Sequence, residues 1–240
     1  MKGKYRPRRI VLHDGRTLTL RAIAEGDATE IVQAFERLSS QSRYYRFMIH
    51  KRTLNDAALH RGVHPRSGRD FVFVATIPAA DGIDIVGAAQ YVQAGNADDK
   101  TCEFAVTVAE DWRGSGLATE LLSSLVRHAR RDGYQTMEGF VIAENTAMLA
   151  LSRRLKFKAE HVAGDATVLR VQLALSGVPR RPTARERARL ASTGTRHMCA
   201  CRQRLHEPAR QLSGCSPSDR CWPRARLRSP NVEGGFRAVC

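Results

Sequence analysis

Residues 111–122, DWRGSGLATELL, place two glycines and a serine directly before an apolar run that favours a helix. In the first turn of a helix the backbone N–H groups have no intrahelical acceptor, and glycines let a ligand approach the main chain closely. The positive end of the helix dipole also attracts an anion. The stretch therefore predicts an anion site between a strand and a helix, with a plain tight turn as the alternative.

Three phosphate-binding patterns can be tested against this loop. The P-loop pattern G-x4-G-K-S/T needs a lysine after its glycines, and none follows here. The dinucleotide pattern G-x-G-x-x-G/A, counted from Gly114 and Gly116, needs Gly or Ala where Thr119 stands. The third pattern, R/Q-x-x-G-x-G/A, is met by residues 113–118. The loop fits the third pattern and departs from the other two.

The segments before the loop are predicted to form strands and two helices, the first of which is amphipathic. A strand is predicted at residues 17–23, followed by a helix for which Asp27 and Glu30 would form a capping box. A second short helix begins in SSQSRYYRFM, residues 39–48. Three further strands are predicted at residues 71–77, 83–92 and 101–108. Their connections are too short for crossovers, so these three form an antiparallel meander.

After the loop the pattern changes to alternating helices and strands. Helices are predicted at residues 117–131 and 146–155, with strands at 135–142, 159–163 and 167–173. The strand–helix–strand succession around the loop implies a parallel crossover. The fold class is therefore α/β, with a mixed central sheet of about six to seven strands that is antiparallel first and parallel in the middle, flanked by helices.

These elements and motifs together resemble a known family. The R/Q-x-x-G-x-G/A pattern is similar to the pyrophosphate loop of the GNAT superfamily of N-acetyltransferases, and ENTAMLALSRRLKF, residues 144–157, resembles that family's final motif. The stretches LHDGRTLTLRAIAEGD (12–27), FERLSSQSRYYRFM (35–48) and CEFAVTVAEDWRGSGLA (102–118) are similar to the acetyltransferase domain of bacterial Pat-type protein lysine acetyltransferases. The resemblance covers residues 17–173.

The resemblance implies acetyl-CoA as cosubstrate, with no metal, and an amine as acceptor. The loop would hold the pyrophosphate, and strand backbone would bind the pantetheine arm and supply the oxyanion donor. Asn145 is a candidate pantetheine contact or, equally, a helix N-cap. The cofactor contacts are thus expected at Val106, Val108, Arg113, Gly114, Ser115, Gly116, Leu117, Ala118 and Asn145. The acceptor implied is a protein lysine, for example on an acyl-CoA synthetase, and a small-molecule amine stays open.

Glu103 is the candidate general base. A lysine amine has a pKa of about 10.4, so it arrives protonated and must lose a proton before it attacks. On the alternating strand Glu103 shares a face with Ala105 and Thr107, whose small side chains leave room for reactants. The catalytic glutamate of Pat-type domains lies at this position, and it can act through a water. The structural alternative is a Glu103 that pairs with Arg21 or with another residue of the sheet.

Other polar residues near the motifs receive less definite roles. Ser152 stands where many family members have tyrosine, so tyrosine-type protonation of the thiolate is in doubt. Lys156 replaces the usual helix-ending glycine, at a cost of about 1 kcal/mol if the position is left-handed. Cys102 faces away from Glu103, which argues against an acyl-cysteine route. His128 and His161 are expected to be structural or exposed.

Charge divides the chain into a body and a tail. The 240 residues carry a net charge of +15, of which residues 175–240 contribute 14 Arg, no Lys and four acidic residues, or +10. We interpret residues 1–16 as a basic N-terminal segment, 17–174 as the acetyltransferase domain and 175–240 as an Arg/Cys-rich tail. The tail lacks apolar periodicity and is predicted to be disordered.

Two functional interpretations of the tail stay open beside disorder. Its arginines could bind nucleic acid, with the body as a CoA sensor, although no recognition motif accompanies its aromatic residues Trp222 and Phe236. A metal site could form from Cys199, Cys201, His206, Cys215 and Cys221, but the spacing lacks paired C-x2-C knuckles. No apolar run approaches the roughly 18 residues that a spanning helix needs, so we expect a cytoplasmic protein without a membrane partner.

Overall fold

The computed structural model describes residues 5–80, 82–95 and 100–175. Within these ranges the strands are β1 (Arg8–Val11), β2 (Thr17–Ala22), β3 (Phe71–Ala79), β4 (Gly82–Gln93), β5 (Thr101–Val108), β6 (Thr136–Ile142), β7 (Lys158–Val162) and β8 (Asp165–Ala174). The helices are α1 (Ala28–Glu36), α2 (Ser40–Phe47), α3 (Asp56–Val63), α4 (Leu117–Asp132) and α5 (Thr146–Arg154). The strands and helices predicted from periodicity are present, and β1 and α3 are additional.

The strands form one mixed sheet in the order β1-β2-β3-β4-β5-β6-β8-β7. Only β5 and β6 pair in parallel, and every other neighbouring pair in this sheet of the described chain is antiparallel. The predicted α/β class with a mixed sheet is confirmed. The strand number is eight rather than six to seven, because β1 adds an edge strand from the N-terminal segment.

The parallel pair β5–β6 is short and then diverges. Its register joins Thr101, Cys102 and Glu103 to residues 136–138 and goes no further. Beyond Glu103, β5 continues beside β4 as far as Val108, while β6 continues beside β8. Among the described residues, β5 therefore has a length of main chain that β6 does not cover. This opening lies directly before the glycine-rich loop.

Helix α4 covers one face of the sheet at this opening. Its buried residues recur with helical spacing, and Leu117, Leu121, Leu122 and Leu125 are fully buried. A Cβ added at Gly87 of β4 would lie 3.0 Å from a methyl carbon of Leu121, so glycine permits the close helix–sheet contact. The helices α1 and α2 contact β4 and β5 respectively.

The start of α1 differs from the prediction. Asp27 does not cap the helix with its side chain, so the expected Asp27–Glu30 capping box is wrong. Its carboxylate instead accepts two hydrogen bonds of 2.7 Å from Arg21 and one of 2.8 Å from the N–H of Ala24. Glu30 accepts from the N–H of Ile85 at 3.1 Å. Arg21 therefore pairs with Asp27, and the carboxylates of Asp27 and Glu30 both make tertiary hydrogen bonds.

Candidate active site

A cavity of about 740 Å³ lies where the end of β5, the glycine-rich loop and the starts of α4 and α5 meet. This volume is typical of small-molecule and cofactor sites. The structure brings all the residues expected to bind the cosubstrate to the wall of this cavity: Val106, Val108, Arg113, Gly114, Ser115, Gly116, Leu117, Ala118 and Asn145. They come from three separate parts of the chain, so the cavity joins motifs that only the fold places together.

The loop adopts a conformation that requires its glycines. Gly114 has φ +75° and Gly116 has φ +88°, both in the left-handed region that other residues avoid. The hydroxyl of the buried Ser115 donates to the carbonyl of Trp112 at 2.7 Å and accepts from the N–H of Leu117 at 3.3 Å. Ser115 therefore supports the turn with its side chain, and its hydroxyl is engaged inside the loop.

Arg113 connects the loop to α2 with its side chain. Its guanidinium lies 2.7 Å from a carboxylate oxygen of Glu110 and donates to the hydroxyl of Ser42, which in turn donates to Glu110. Burial would raise the pKa of Glu110, but hydrogen bonds from Ser42 and Ser39 hold it below its usual value. The guanidinium of Arg113 therefore braces the loop against α2, and the residue also lines the cavity.

Helix α5 forms another wall of the cavity. Asn145 caps the helix, since its side-chain oxygen accepts from the N–H of Met148 at 3.1 Å. Met148, Leu151 and Arg154 also line the cavity, and the guanidinium of Arg154 donates to the hydroxyl of Thr119 at 2.9 Å. We did not predict Arg154 as a site residue. Its position three residues beyond Leu151, on the helix face that begins with Asn145, is the signal that could have identified it.

Glu103 is buried on β5 beside the cavity rather than in its wall. The residue is 8 % exposed and lies opposite Glu138 in the last paired position between β5 and β6. Thr107, on the same face of the strand, does line the cavity. Thr107 is four residue steps along the strand from Glu103, or about 13 Å. A proton path from the cavity to Glu103 therefore needs a bridging water or an acceptor that reaches along the strand.

Cys102 and Ser152 are buried away from the cavity wall. The thiol of Cys102 is fully buried 3.6 Å from the carbonyl of Thr136, and burial raises its pKa well above the usual value. A thiol in that state is a poor nucleophile. The hydroxyl of Ser152 is buried and makes no hydrogen bond within the described part of the chain. Neither residue lines the cavity.

The two histidines considered from sequence have different surroundings. His128 stacks on the ring of Phe71, with 3.7 Å between centroids, and its Nδ1 lies 3.0 Å from the hydroxyl of Tyr91. That hydroxyl donates to Asp132 at 2.7 Å. His161 is exposed on β7. His128 thus belongs to an aromatic and polar cluster between α4 and the sheet, outside the cavity wall.

Residues 5–80, 82–95 and 100–175 contain neither a metal-binding cluster nor a membrane-spanning helix. No group of three or more His, Cys, Asp or Glu side chains in this part is placed to hold a metal ion. No helix in it has the length and apolar character needed to cross a bilayer. The cysteines proposed as a metal site, and the arginines proposed to bind nucleic acid, lie beyond Leu175 and outside the described residues.

The geometry of the cavity suits a ligand that carries a diphosphate and an amide-bearing arm. Two left-handed glycines at a helix start can receive a diphosphate, and the uncovered main chain of β5 can receive an amide-bearing arm. Residues 17–158 match the model of the acetyltransferase (GNAT) domain, and the chain belongs to this family. It is therefore an acetyltransferase that uses acetyl-CoA.

Relatives in this family include three curated proteins. The chain is 32% identical over 164 residues to acetyltransferase PA5475 of Pseudomonas aeruginosa, covering 68% of this chain and 87% of that protein. It is 26% identical over 146 residues to acetyltransferase Pat of Mycolicibacterium smegmatis. This match covers 61% of this chain and 43% of that protein. A 58-residue stretch is 40% identical to the L-methionine sulfoximine/L-methionine sulfone acetyltransferase of P. aeruginosa. This match covers 24% of this chain and 34% of that protein.

Solved structures show the same fold. The GNAT domain of S. lividans PAT superimposes with a TM-score of 0.65 at 24% identity, covering 71% of this chain and 99% of that one. The structure of yncA from Salmonella typhimurium with its cofactor acetyl-CoA superimposes with a TM-score of 0.56 at 22% identity. This match covers 68% of this chain and 96% of that one. At these identities the likeness concerns the fold.

Proposed function

We propose that the protein acetylates lysine side chains of other proteins, by direct attack of the amine in a ternary complex, with Glu103 as general base. The observation that carries the proposal is the divergence of β5 and β6 immediately after Glu103, beside the glycine-rich loop. One strand thereby bears both a buried carboxylate and the uncovered main chain next to the cofactor site. Acetyl-CoA supplies the acetyl group as an activated thioester.

The main chain of the cavity would bind most of the cosubstrate. The N–H groups of Gly114, Gly116 and Ala118 lie at the start of α4, where first-turn donors lack intrahelical acceptors and the dipole favours an anion. On β5 the backbone groups of Val106 and Val108 would face the pantetheine arm, and one N–H would stabilise charge that develops on the acyl oxygen. These contacts need no metal.

Glu103 would take the proton that the lysine ammonium must lose before the neutral amine attacks the thioester. Its burial limits competition from bulk water, and Thr107, on the same face of the strand, lines the cavity. Because Glu103 lies outside the cavity wall, a water would relay the proton. A positioned base of this kind contributes roughly 10²–10⁴ in rate.

The acceptor would enter from the side of α2. Tyr45 and Arg46 of this helix line the cavity together with Thr107. Arg113 of the loop donates a hydrogen bond to the hydroxyl of Ser42 in the same helix. This contact would fix α2, on the proposed acceptor side, relative to the glycine-rich loop. The resemblance to Pat-type domains, together with the relative named acetyltransferase Pat, supports a protein lysine as the acceptor.

A small-molecule amine is the second candidate acceptor. The observation that favours it is the 40% identity over 58 residues to an acetyltransferase of methionine sulfoximine and methionine sulfone. That stretch covers 24% of this chain, whereas the likeness to Pat covers 61%. We therefore place the protein lysine first.

An acceptor screen tests the proposal. The full-length protein is incubated with radiolabelled acetyl-CoA and, in parallel, with a panel of lysine peptides and a panel of free amino acids that includes methionine sulfoximine. We expect higher kcat/KM for lysine peptides, and no transfer to peptides with acetylated lysines. Transfer confined to free amino acids would establish the second candidate instead. Absence of transfer to every amine would contradict both acceptor assignments.

A further inference from the structure

β1 and the turn that joins it to β2 precede the matched family domain, yet they form a wall of the cofactor cavity. The family match begins at Thr17, whereas Ile10, Val11, Leu12 and His13 line the cavity. The hairpin is held in place by antiparallel pairing of Arg8–Val11 with β2. Residues that sequence analysis assigned to a basic N-terminal segment are therefore next to the glycine-rich loop.

His13 contacts both glycines of the loop. Its Nε2 lies 2.9 Å from the carbonyl oxygen of Gly114. Because a carbonyl can only accept, Nε2 carries the proton in this hydrogen bond. A Cβ added at Gly116 would lie 2.9 Å from Cδ2 of the same ring, so the imidazole is in close contact with this glycine. One side chain thus touches the two left-handed positions that shape the loop.

Arg16 anchors the hairpin to the other end of the loop. Its guanidinium donates to the carbonyl of Asp111 at 2.9 Å and lies 4.2 Å from the ring centroid of Trp112. Asp14 holds the guanidinium in place at 2.8 Å. His13 and Arg16 therefore hydrogen-bond to main-chain carbonyls of the loop on both sides of Arg113.

We propose that His13 is a positioning residue for diphosphate binding, which acts by holding the Gly114–Gly116 segment in its anion-binding conformation. Glycine has more backbone freedom than any other residue, so a loop with two glycines costs conformational entropy to order. A side chain that orders the loop before the ligand arrives removes that cost from binding. The role goes beyond the proposed acceptor and base, and it depends on neither.

Binding and hydrogen exchange of the full-length protein test this role without turnover. Calorimetry measures the affinity for CoA and for 3′-dephospho-CoA, both of which contain the diphosphate. We expect His13→Ala to weaken both by a similar factor, roughly three- to tenfold, as loss of one hydrogen bond implies. His13→Gln should retain most of the affinity, because its amide N–H can donate to the same carbonyl.

Hydrogen exchange of the ligand-free protein separates positioning from a general loss of stability. In His13→Ala we expect faster exchange at the amides of residues 111–118 and unchanged exchange in α4 beyond its first turn and in β3–β5. His161→Ala, an exposed histidine on β7, is the matched control and should change neither readout. Unchanged loop exchange, or affinity lost for CoA but kept for 3′-dephospho-CoA, would overturn the proposal.

Discussion

Glu103 of β5 and Glu138 of β6 lie opposite each other in the last paired position before the two parallel strands diverge. Neighbours in a parallel pair point to the same face of the sheet, so two carboxylates share this face. Only the strand of Glu103 goes on to line the cavity, through Val106, Thr107 and Val108. The divergence therefore places Glu103, and not Glu138, on a strand that continues to the cavity.

Replacement of Glu103 tests its role as the base. We expect Glu103→Gln to lower kcat by roughly 10²–10⁴, because the amide cannot take a proton, with little change in the KM for acetyl-CoA. Glu138→Gln is the matched control, since it removes the opposite carboxylate and should keep kcat near the wild-type value. Steady-state kinetics with a lysine peptide as the acceptor measure both. A wild-type kcat in Glu103→Gln would refute the assignment.

Replacement of each loop glycine separates backbone strain from contact with His13. Gly114→Ala and Gly116→Ala both place alanine in the left-handed region, which costs about 1–2 kcal/mol. Only the Cβ at Gly116 would meet His13, while that at Gly114 has open space. We expect Gly116→Ala to lower Tm and CoA affinity more than Gly114→Ala. Equal effects of the two would show that the His13 contact is of no consequence.

The end of α5 offers a stabilising substitution. Lys156 follows the helix with φ +70°, at a position where many helices have glycine. Lys156→Gly relieves the strain of a left-handed non-glycine residue, and we expect the free energy of unfolding to rise by about 1 kcal/mol in urea titrations. Lys156→Ala removes the long side chain but keeps the strain. It should therefore give no comparable gain; if it did, the side chain rather than the backbone would be responsible.

The ion pair of Asp27 and Arg21 predicts a pH-dependent contribution to stability. Burial would raise the pKa of Asp27, but hydrogen bonds from Arg21 and from the N–H of Ala24 bring it below its usual value. A carboxylate with a lowered pKa in the folded state stabilises the fold above its unfolded pKa of about 3.9. That stability is lost as the pH falls through the folded pKa.

Asp27→Asn should therefore lower the free energy of unfolding at pH 7 by roughly 2–3 kcal/mol, since Arg21 loses its partly buried partner. The difference from wild type should shrink below pH 4. Asp165→Asn serves as control, because the pKa of Asp165 is also lowered, by hydrogen bonds from Thr167, but at an exposed site. Urea unfolding at several pH values measures both. A pH-independent deficit in Asp27→Asn would contradict the linkage.

Several features of the fold and the site could be predicted because their causes are local. The glycine pattern of residues 113–118 specifies a left-handed loop at a helix start, and α4 does begin at Leu117. Alternation predicts β5, and with it the face that Glu103 shares with Thr107. Asn145 was expected either to cap a helix or to contact the ligand, and the structure shows the cap at the wall of the cavity.

Other features could not be predicted because they depend on partners far along the chain. β1 is four residues long, RRIV, without a regular alternation, and it becomes a strand by pairing with β2. The carboxylates of Asp27 and Glu30 were expected to cap α1, but Arg21 and the N–H of Ile85 bind them instead. Tertiary hydrogen bonds replaced the local cap in both cases.

The sequence by itself determined the class of protein through its resemblance to a known family. It also determined the glycine-rich loop and the position of the glutamate on its strand, because backbone conformation and periodicity are short-range properties. The tertiary structure alone decided that β6 leaves β5 after Glu103, and that His13 reaches Gly114 from 101 residues away. Strand register and long-range side-chain contacts depend on what packs beside each strand, and no local pattern encodes them.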